Sequence, residues 1–408
     1  GLVLIASAQE AEELRPVHYK KWRENPKMVV FSDSTADAGR RFNAPASFDF
    51  EDIGPFPWTR VFESPDRDTK FRAYLPAPGS PTNGRVWPSW LRVPEEYNFA
   101  TSSGTATDAF RSREICLGYT GEGEGFPTGT LSEQITRYFN DVLDQTDETL
   151  DYTHIISLGG NDLGAVLSAF SRYAIGGPDY VDPVAFENVF EIVDGIPSLT
   201  FEPFIREVLS AWQEGITRLI ERGVTGRILL FNLGAARGFP GAAESGVVEV
   251  FDQVAATVNA AAQLTYAALP QVRIIDLFSL TAAIVDQPEL FQSLGFTGDP
   301  ESSLSQPCLV SNAALDTNGE IMGTQADRAA GCRGECALCA DDSSPCQTCF
   351  LGNPSATVCE EPEKYLFWDP VHFTTDIHQF LAEAIRQCAK DSPNFDRAWV
   401  EVLCPDAA

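Results

Sequence analysis

Short apolar runs rich in Val, Ile and Leu alternate along this chain with longer stretches in which apolar residues recur every three or four positions. The runs are "KMVVF" (27–31), "YTHIISLGG" (152–160), "GRILLFNLG" (226–234) and "VRIIDLF" (272–278). Their apolar residues are near-continuous, with no in-and-out alternation, which is the pattern of strands buried on both faces. The stretches "LSEQITRYFNDVLDQ" (131–145), "FIREVLSAWQEGITRLIERG" (204–223) and "VEVFDQVAATVNAAAQLTYAAL" (248–269) have helical spacing, and Gly223 supplies a stop. Strands and helices in alternation predict a parallel sheet with helices on both faces. Ligands bind such sheets beyond the C-terminal ends of the strands, so the polar residues that follow each run are the candidates for chemistry.

Three such places stand out. Met28-Val29-Val30-Phe31 runs into Ser32-Asp33-Ser34, where a serine at a tight strand-to-helix junction suits a nucleophile, although most serines there only cap a helix. Leu158-Gly159-Gly160-Asn161-Asp162 places an amide side chain directly after glycines that allow close backbone approach, and such an amide can donate to a developing oxyanion. In "LFWDPVHFTTDIHQFLAEAI", Asp369 and His372 lie three residues apart before a helical pattern. A carboxylate there can orient an imidazole that serves as general base.

Taken in order, "FSDSTADAG", "NFATSSGTATD", "LGGND" and "WDPVH" resemble the blocks of the GDSL, or SGNH, serine hydrolases, and "NGRVWPSWL" (83–91) and "GRILLFNLGAARGFP" resemble two further segments of that family. The likeness spans nearly the whole chain. It implies a flavodoxin-like three-layer α/β/α fold with a parallel central sheet, and ester hydrolysis through an acyl-enzyme without a cofactor. By matching position Ser34 is the nucleophile, His372 the base and then the acid, and Asp369 its orienter. The implied oxyanion hole uses the backbone N–H of Ser34, that of a second-block glycine, and the Asn161 side chain. Asp33 and Asp37 match positions that shape the first loop and are expected to be structural.

The chain departs from the family pattern twice. Ser32 stands where the first block has glycine, at a position whose backbone can need unusual torsions. In the second block the glycine falls about one place earlier, at Ser103; Gly104 is taken as the donor by residue type. Ala100-Thr101-Ser102-Ser103-Gly104 also reads as a variant nucleophile elbow, making Ser102 a rival, but "RVPEEYN" before it is a poor central strand. His18, His154 and His378 are expected to be solvated or hydrogen-bonded. The mechanism expects activity to rise with pH as the His372 imidazole deprotonates.

The chain has 408 residues, of which 44% are hydrophobic, enough for one elaborated α/β domain. Its 58 acidic residues against 29 basic ones give a net charge of -29, which disfavours nucleic acid and anionic lipid. "GLVLIASAQE" resembles the tail of a secretory signal with an A-x-A site, or else a short first strand. With no later segment long enough to span a bilayer, the expectation is a secreted, extracellular monomer. The division is a signal remnant at 1–8, an arm at 9–26, and one hydrolase domain over 27–408, elaborated at 40–95 and by a cysteine-rich insertion at 296–365. Ten cysteines predict up to five disulfides, although Cys336-x2-Cys339 and Cys346-x2-Cys349 could instead enclose a structural zinc. No catalytic metal is indicated, because no histidine pair has ligand spacing.

Substrate identity is less sharply marked. Trp58 and Trp87, with Phe56 and Trp90, could stack on sugars or line an acyl pocket, or simply pack in the core. The extended family form with "NGRVWPSWL" resembles extracellular fungal-type carbohydrate acetylesterases, whereas "YLFWDPVHFTT" with its nearby cysteines resembles secreted lipases and phospholipases. A short-chain or carbohydrate acetyl ester is favoured, since no apolar lid or basic interfacial helix is visible. A binding protein on a hydrolase scaffold is the non-enzymatic alternative.

Overall fold

The computed structural model describes residues 27–36, 82, 85–101, 104–107, 109, 129–164, 166, 191–193, 196–198, 201–243, 247–297, 306–310, 357–359, 361–368, 371–390 and 402–404. The expectations for 1–26, most of 40–95 and the two CxxC pairs lie outside them. Among the described residues the strands are β1 (Met28–Ser32), β2 (Thr153–Ser157), β3 (Glu191–Val193), β4 (Ile196–Ser198), β5 (Ile228–Phe231), β6 (Val272–Ile275), β7 (Leu309–Val310) and β8 (Thr357–Val358). The helices that position the site are α1 (Trp87–Leu91), α2 (Leu131–Tyr138), α3 (Glu202–Glu221), α4 (Val248–Tyr266), α5 (Leu277–Asp286) and α6 (Thr375–Cys388).

Four strands form one all-parallel sheet in the order β1-β2-β5-β6, with Ser32 beside Ser157 at its C-terminal edge. Parallel neighbours need long crossovers, and α3 lies between β2 and β5 and α4 between β5 and β6. Side chains alternate between the two faces. Val29, Phe31, Ile156, Ile228 and Leu230 pack with Leu131, Ile135, Phe204, Trp212 and Phe251 of α2, α3 and α4. Val30, Ile155, Leu229, Phe231 and Ile275 pack with Trp87, Leu91, Leu280, Ile377 and Leu381 of α1, α5 and α6. Both faces are thus covered, which explains why the strands read as continuous apolar runs.

Element ends differ from the sequence expectations for local reasons. The 131–145 stretch is α-helical only to Tyr138, after which Phe139–Leu143 winds as a single π turn. The "VRIIDLF" run ends as a strand at Ile275, because the Asp276 side chain accepts the Ser279 N–H at 3.0 Å and caps α5. Gly223 lies just beyond α3 at φ 99°, as a helix stop requires.

Two of the expected disulfides are present, Cys308–Cys359 and Cys388–Cys404, and the remaining cysteines lie outside the described residues. The first of these fastens the antiparallel β7–β8 pair. Among the described residues no helix is long and apolar enough to cross a membrane.

Candidate active site

The site lies at the C-terminal edge of the sheet, where β1 runs out. Asp33 turns the chain: its Oδ1 accepts the N–H of Thr35 at 2.9 Å and the Thr35 hydroxyl at 2.8 Å, while its carbonyl accepts the Ala36 N–H at 3.1 Å. Asn98 fastens the far side of this turn by donating to the Ala36 carbonyl at 3.0 Å. Ser34, at the head of the turn, is half-buried, and its N–H has no partner among the described residues.

Ser32 keeps its hydroxyl out of the site. It is 0% exposed and donates to the Ser157 carbonyl of β2 at 3.1 Å. The non-glycine residues with positive φ among those described are Arg92 and Phe201, so the backbone at Ser32 does not need a glycine's freedom. A serine at this position therefore costs the loop nothing in conformation.

His372 reaches Ser34 from the opposite end of the sequence. Its Nε2 lies 2.8 Å from Ser34 Oγ, across a separation of 338 residues. A narrow loop before α6 presents it: Trp368 N–H donates to the His372 carbonyl at 2.7 Å, and Thr374 N–H donates to the Leu366 carbonyl at 2.9 Å. Phe367 and Phe373 stack within the loop at 4.9 Å, and Thr82 donates its hydroxyl to the Phe373 carbonyl at 2.7 Å. Cys308 ties the loop to the disulfide-bonded β7–β8 pair through its N–H, which donates to the Phe367 carbonyl at 2.9 Å. Asp369 lies outside the described residues, as do Ser102, Ser103, Asp37, Phe56 and Trp58.

Asn161 follows β2 on a helical turn, and its Nδ2 donates to the Gly104 carbonyl at 2.8 Å. An amide nitrogen carries two hydrogens, so one remains for a ligand. Gly159, two residues earlier, lets the chain turn closely against Leu233 and Trp212. Its φ is +127°, and a Cβ there would sit 2.8 Å from Leu233 Cδ2. Gly104 is hemmed in by carbonyls, with a Cβ position 2.8 Å from the Thr101 oxygen.

Two sequence expectations are corrected. The Gly104 N–H donates to the Thr101 carbonyl at 2.8 Å in a closed turn, so it is not aimed at an oxyanion. Trp87 does not line a substrate site: it is 1% exposed and stacks on Phe231 of β5 at 6.2 Å. Of its neighbours, Trp90 is half-buried and donates to Thr375 Oγ1 at 3.3 Å.

The other histidines divide. His154 is buried and hydrogen-bonded, with Nδ1 2.9 Å from the Tyr152 carbonyl and Nε2 3.0 Å from the Tyr138 hydroxyl. Burial lowers it to about 4. His378 is neither solvated nor hydrogen-bonded, since it is 1% exposed and both ring nitrogens lack a partner among the described residues. Burial, with the His372 charge beside it, lowers His378 to about 3, so both rings are neutral at pH 7.

Two residues of this edge escaped sequence reasoning. Gln134 is 0% exposed; its Oε1 accepts the Ser32 N–H at 2.9 Å, and its Nε2 donates to the carbonyls of Ser32 at 2.9 Å and Gly129 at 2.6 Å. The signal was present: Leu131, Gln134, Ile135 and Tyr138 form the buried stripe of α2, and a glutamine in such a stripe needs partners. Asp162, also 0% exposed, accepts the N–H of Ala106 at 2.8 Å and of Thr107 at 3.2 Å. Burial pushes its carboxyl up to about 7 against the lowering effect of those bonds, and burial likewise raises Asp33, whose bonds to Thr35 and the nearby His372 charge act the other way.

A hydroxyl within hydrogen-bond reach of an imidazole, beside a free backbone N–H and an amide hydrogen, can act as an activated nucleophile next to an anion site. No protein-family model matches the chain, and no curated protein matches it.

Proposed function

We propose that the chain is a secreted serine ester hydrolase of the GDSL, or SGNH, type, on a flavodoxin-like three-layer α/β/α domain with a disulfide-bonded insertion. The observation that carries it is the 2.8 Å contact between His372 Nε2 and Ser34 Oγ, which joins two motifs from opposite ends of the sequence. Supporting it are the all-parallel sheet with helices on both faces and the Asn161 amide at the end of the adjacent strand. The two disulfides fit an oxidising compartment.

In this mechanism Ser34 Oγ bonds to the ester carbonyl carbon while its proton passes to His372 Nε2. The oxyanion is held by the Ser34 N–H and the second Nδ2 hydrogen of Asn161; the Gly104 N–H, bonded to Thr101, takes no part. As the bond to the alcohol breaks, His372 returns the proton to the leaving oxygen. Water then adds to the acyl carbon, giving a proton to His372, and the acid leaves as Ser34 is reprotonated. Asp369 has the orienting role its motif gives it. Acetyl esters of small alcohols or carbohydrates are the proposed substrates.

A panel of p-nitrophenyl esters from acetate to palmitate, run beside acetylated xylan and phosphatidylcholine, tests this. Turnover is expected to be highest on acetate, and Ser34→Ala and His372→Ala each lose about 10⁴-fold or more in kcat. An active Ser34→Ala variant overturns the assignment. Turnover confined to the long esters or the phospholipid replaces the substrate class, and none at all favours a binding protein.

A further inference from the structure

Asn161 and Asp162 are consecutive, and both side chains hold the same facing segment. Asn161 Nδ2 donates to the Gly104 carbonyl at 2.8 Å, while the two Asp162 oxygens take the N–H groups of Ala106 and Thr107 at 2.8 and 3.2 Å. Positions 104, 106 and 107 are thereby gripped from one point on the edge of the sheet. The direction in which the second Asn161 hydrogen points depends on where the Gly104 carbonyl sits. That carbonyl in turn depends on the backbone fixed two and three residues further on.

The Asp162 carboxylate is an expensive device for this purpose. It is wholly buried, and the charged group facing it among the described residues is Asp33, itself an acid, with His372 facing Asp33. Burying an ionised carboxylate costs free energy even when it is hydrogen-bonded. What it provides when ionised is two acceptor oxygens on one rigid plane, which a neutral amide of the same shape cannot offer, since one of its two atoms is a donor.

We infer that Asp162 is a positioning residue for the ester-hydrolysing site, fixing the 104–107 segment so that the Asn161 amide is aimed at the oxyanion. This rests on the Ser34–His372 hydrolase function proposed above. The test is Asp162→Asn, which keeps the volume but can accept only one of the two N–H groups. On p-nitrophenyl acetate its kcat is expected to fall about tenfold or more while KM stays within about twofold, as befits misalignment rather than lost binding. Deuterium exchange of the peptide spanning 101–109 should accelerate. The melting temperature at pH 8 should not fall, because the substitution also removes a buried charge.

An unchanged kcat overturns the inference, and so does a parallel loss of kcat and melting temperature, which marks a merely structural tie. A fluorophosphonate that labels serine nucleophiles separates the two levels. If the wild-type chain neither turns over the ester nor takes the phosphonate on Ser34, the hydrolase function fails and this inference with it. If the wild type is labelled and Asp162→Asn keeps its kcat, the inference fails alone.

Discussion

Replacing Gln134 tests how the end of β1 is held. Its side-chain amide pairs with both the N–H and the carbonyl of Ser32, as a neighbouring strand would, and also reaches the Gly129 carbonyl. In Gln134→Leu the volume is nearly kept, so the loss is chiefly polar. The Ser32 N–H, in a residue that is 0% exposed, loses its acceptor. The Ser32 carbonyl still takes the Thr101 N–H at 3.0 Å, whereas the bond from Gln134 to the Gly129 oxygen disappears. One orphaned donor and one orphaned acceptor, at about 1–3 kcal/mol each, predict a loss of about 2–6 kcal/mol. That is a large part of an ordinary folding stability of about 5–15 kcal/mol. Gln134→Ala should lose more, because it adds a cavity. Urea unfolding with intact disulfides, followed by tryptophan fluorescence, measures both variants. A Gln134→Leu loss below about 1 kcal/mol, at an unchanged denaturant slope, refutes the reasoning.

Two further outcomes follow from the buried histidine and the buried tryptophan. His378 is held neutral down to about 3, whereas an unfolded histidine takes up a proton below its ordinary value of 6.5, so the unfolded state binds more protons in between and stability falls with acid. Replacing His378 with Leu removes this contribution, and its stability relative to wild type should rise by about 3 kcal/mol between pH 7 and pH 4, at about 1.36 kcal/mol per pH unit; a difference independent of pH contradicts it. Trp87→Ala should lose about 3–5 kcal/mol of stability, as deletion of a buried Trp does, while KM for p-nitrophenyl acetate in the folded variant stays unchanged; a raised KM would return Trp87 to the substrate site.

The parallel sheet was legible because strands covered on both faces must be apolar throughout, and "KMVVF" and "GRILLFNLG" leave little choice. The meeting of Ser34 with His372 is legible only through the order of the motifs, since no local periodicity joins residues 338 apart. Gly104 was misassigned because residue type says nothing about where a backbone N–H points; the turn to Thr101 depends on torsions that the sequence does not display. Trp87 was offered as a substrate residue because it sits in a Pro-rich stretch. The five-residue α1 is too short to show helical spacing, yet Pro88 in its first turn pre-sets the helix that buries the ring. Asp276 illustrates the opposite case, a readable cap that lies inside an apolar run and so reads as strand.

The polar ties at the sheet edge follow one plan. Gln134 of α2 pairs with both backbone groups of Ser32 at the end of β1, and Asn259 of α4 pairs in the same way with Leu233 after β5, at 2.9 Å to its N–H and 2.8 Å to its carbonyl. Between them Trp212 of α3 donates its Nε1–H to the Leu158 carbonyl after β2 at 2.9 Å. All three come from the layer of helices on one face, so that layer fixes the ends of three strands, including the one that delivers Ser34. His372 arrives with the other layer, on the loop leading into α6, whose Ile377 and Leu381 share a core with Trp87 and Leu91. The end of β1 that precedes Ser34 is thus tied to one layer, while the loop of His372, and Ala36 in the Ser34 turn, pack with the other. The 2.8 Å between Ser34 and His372 is set by how the two helical layers seat on β1 and β2. It follows that core packing on either face, far from Ser34 and His372, bears on the geometry of the pair along with the loops that carry it.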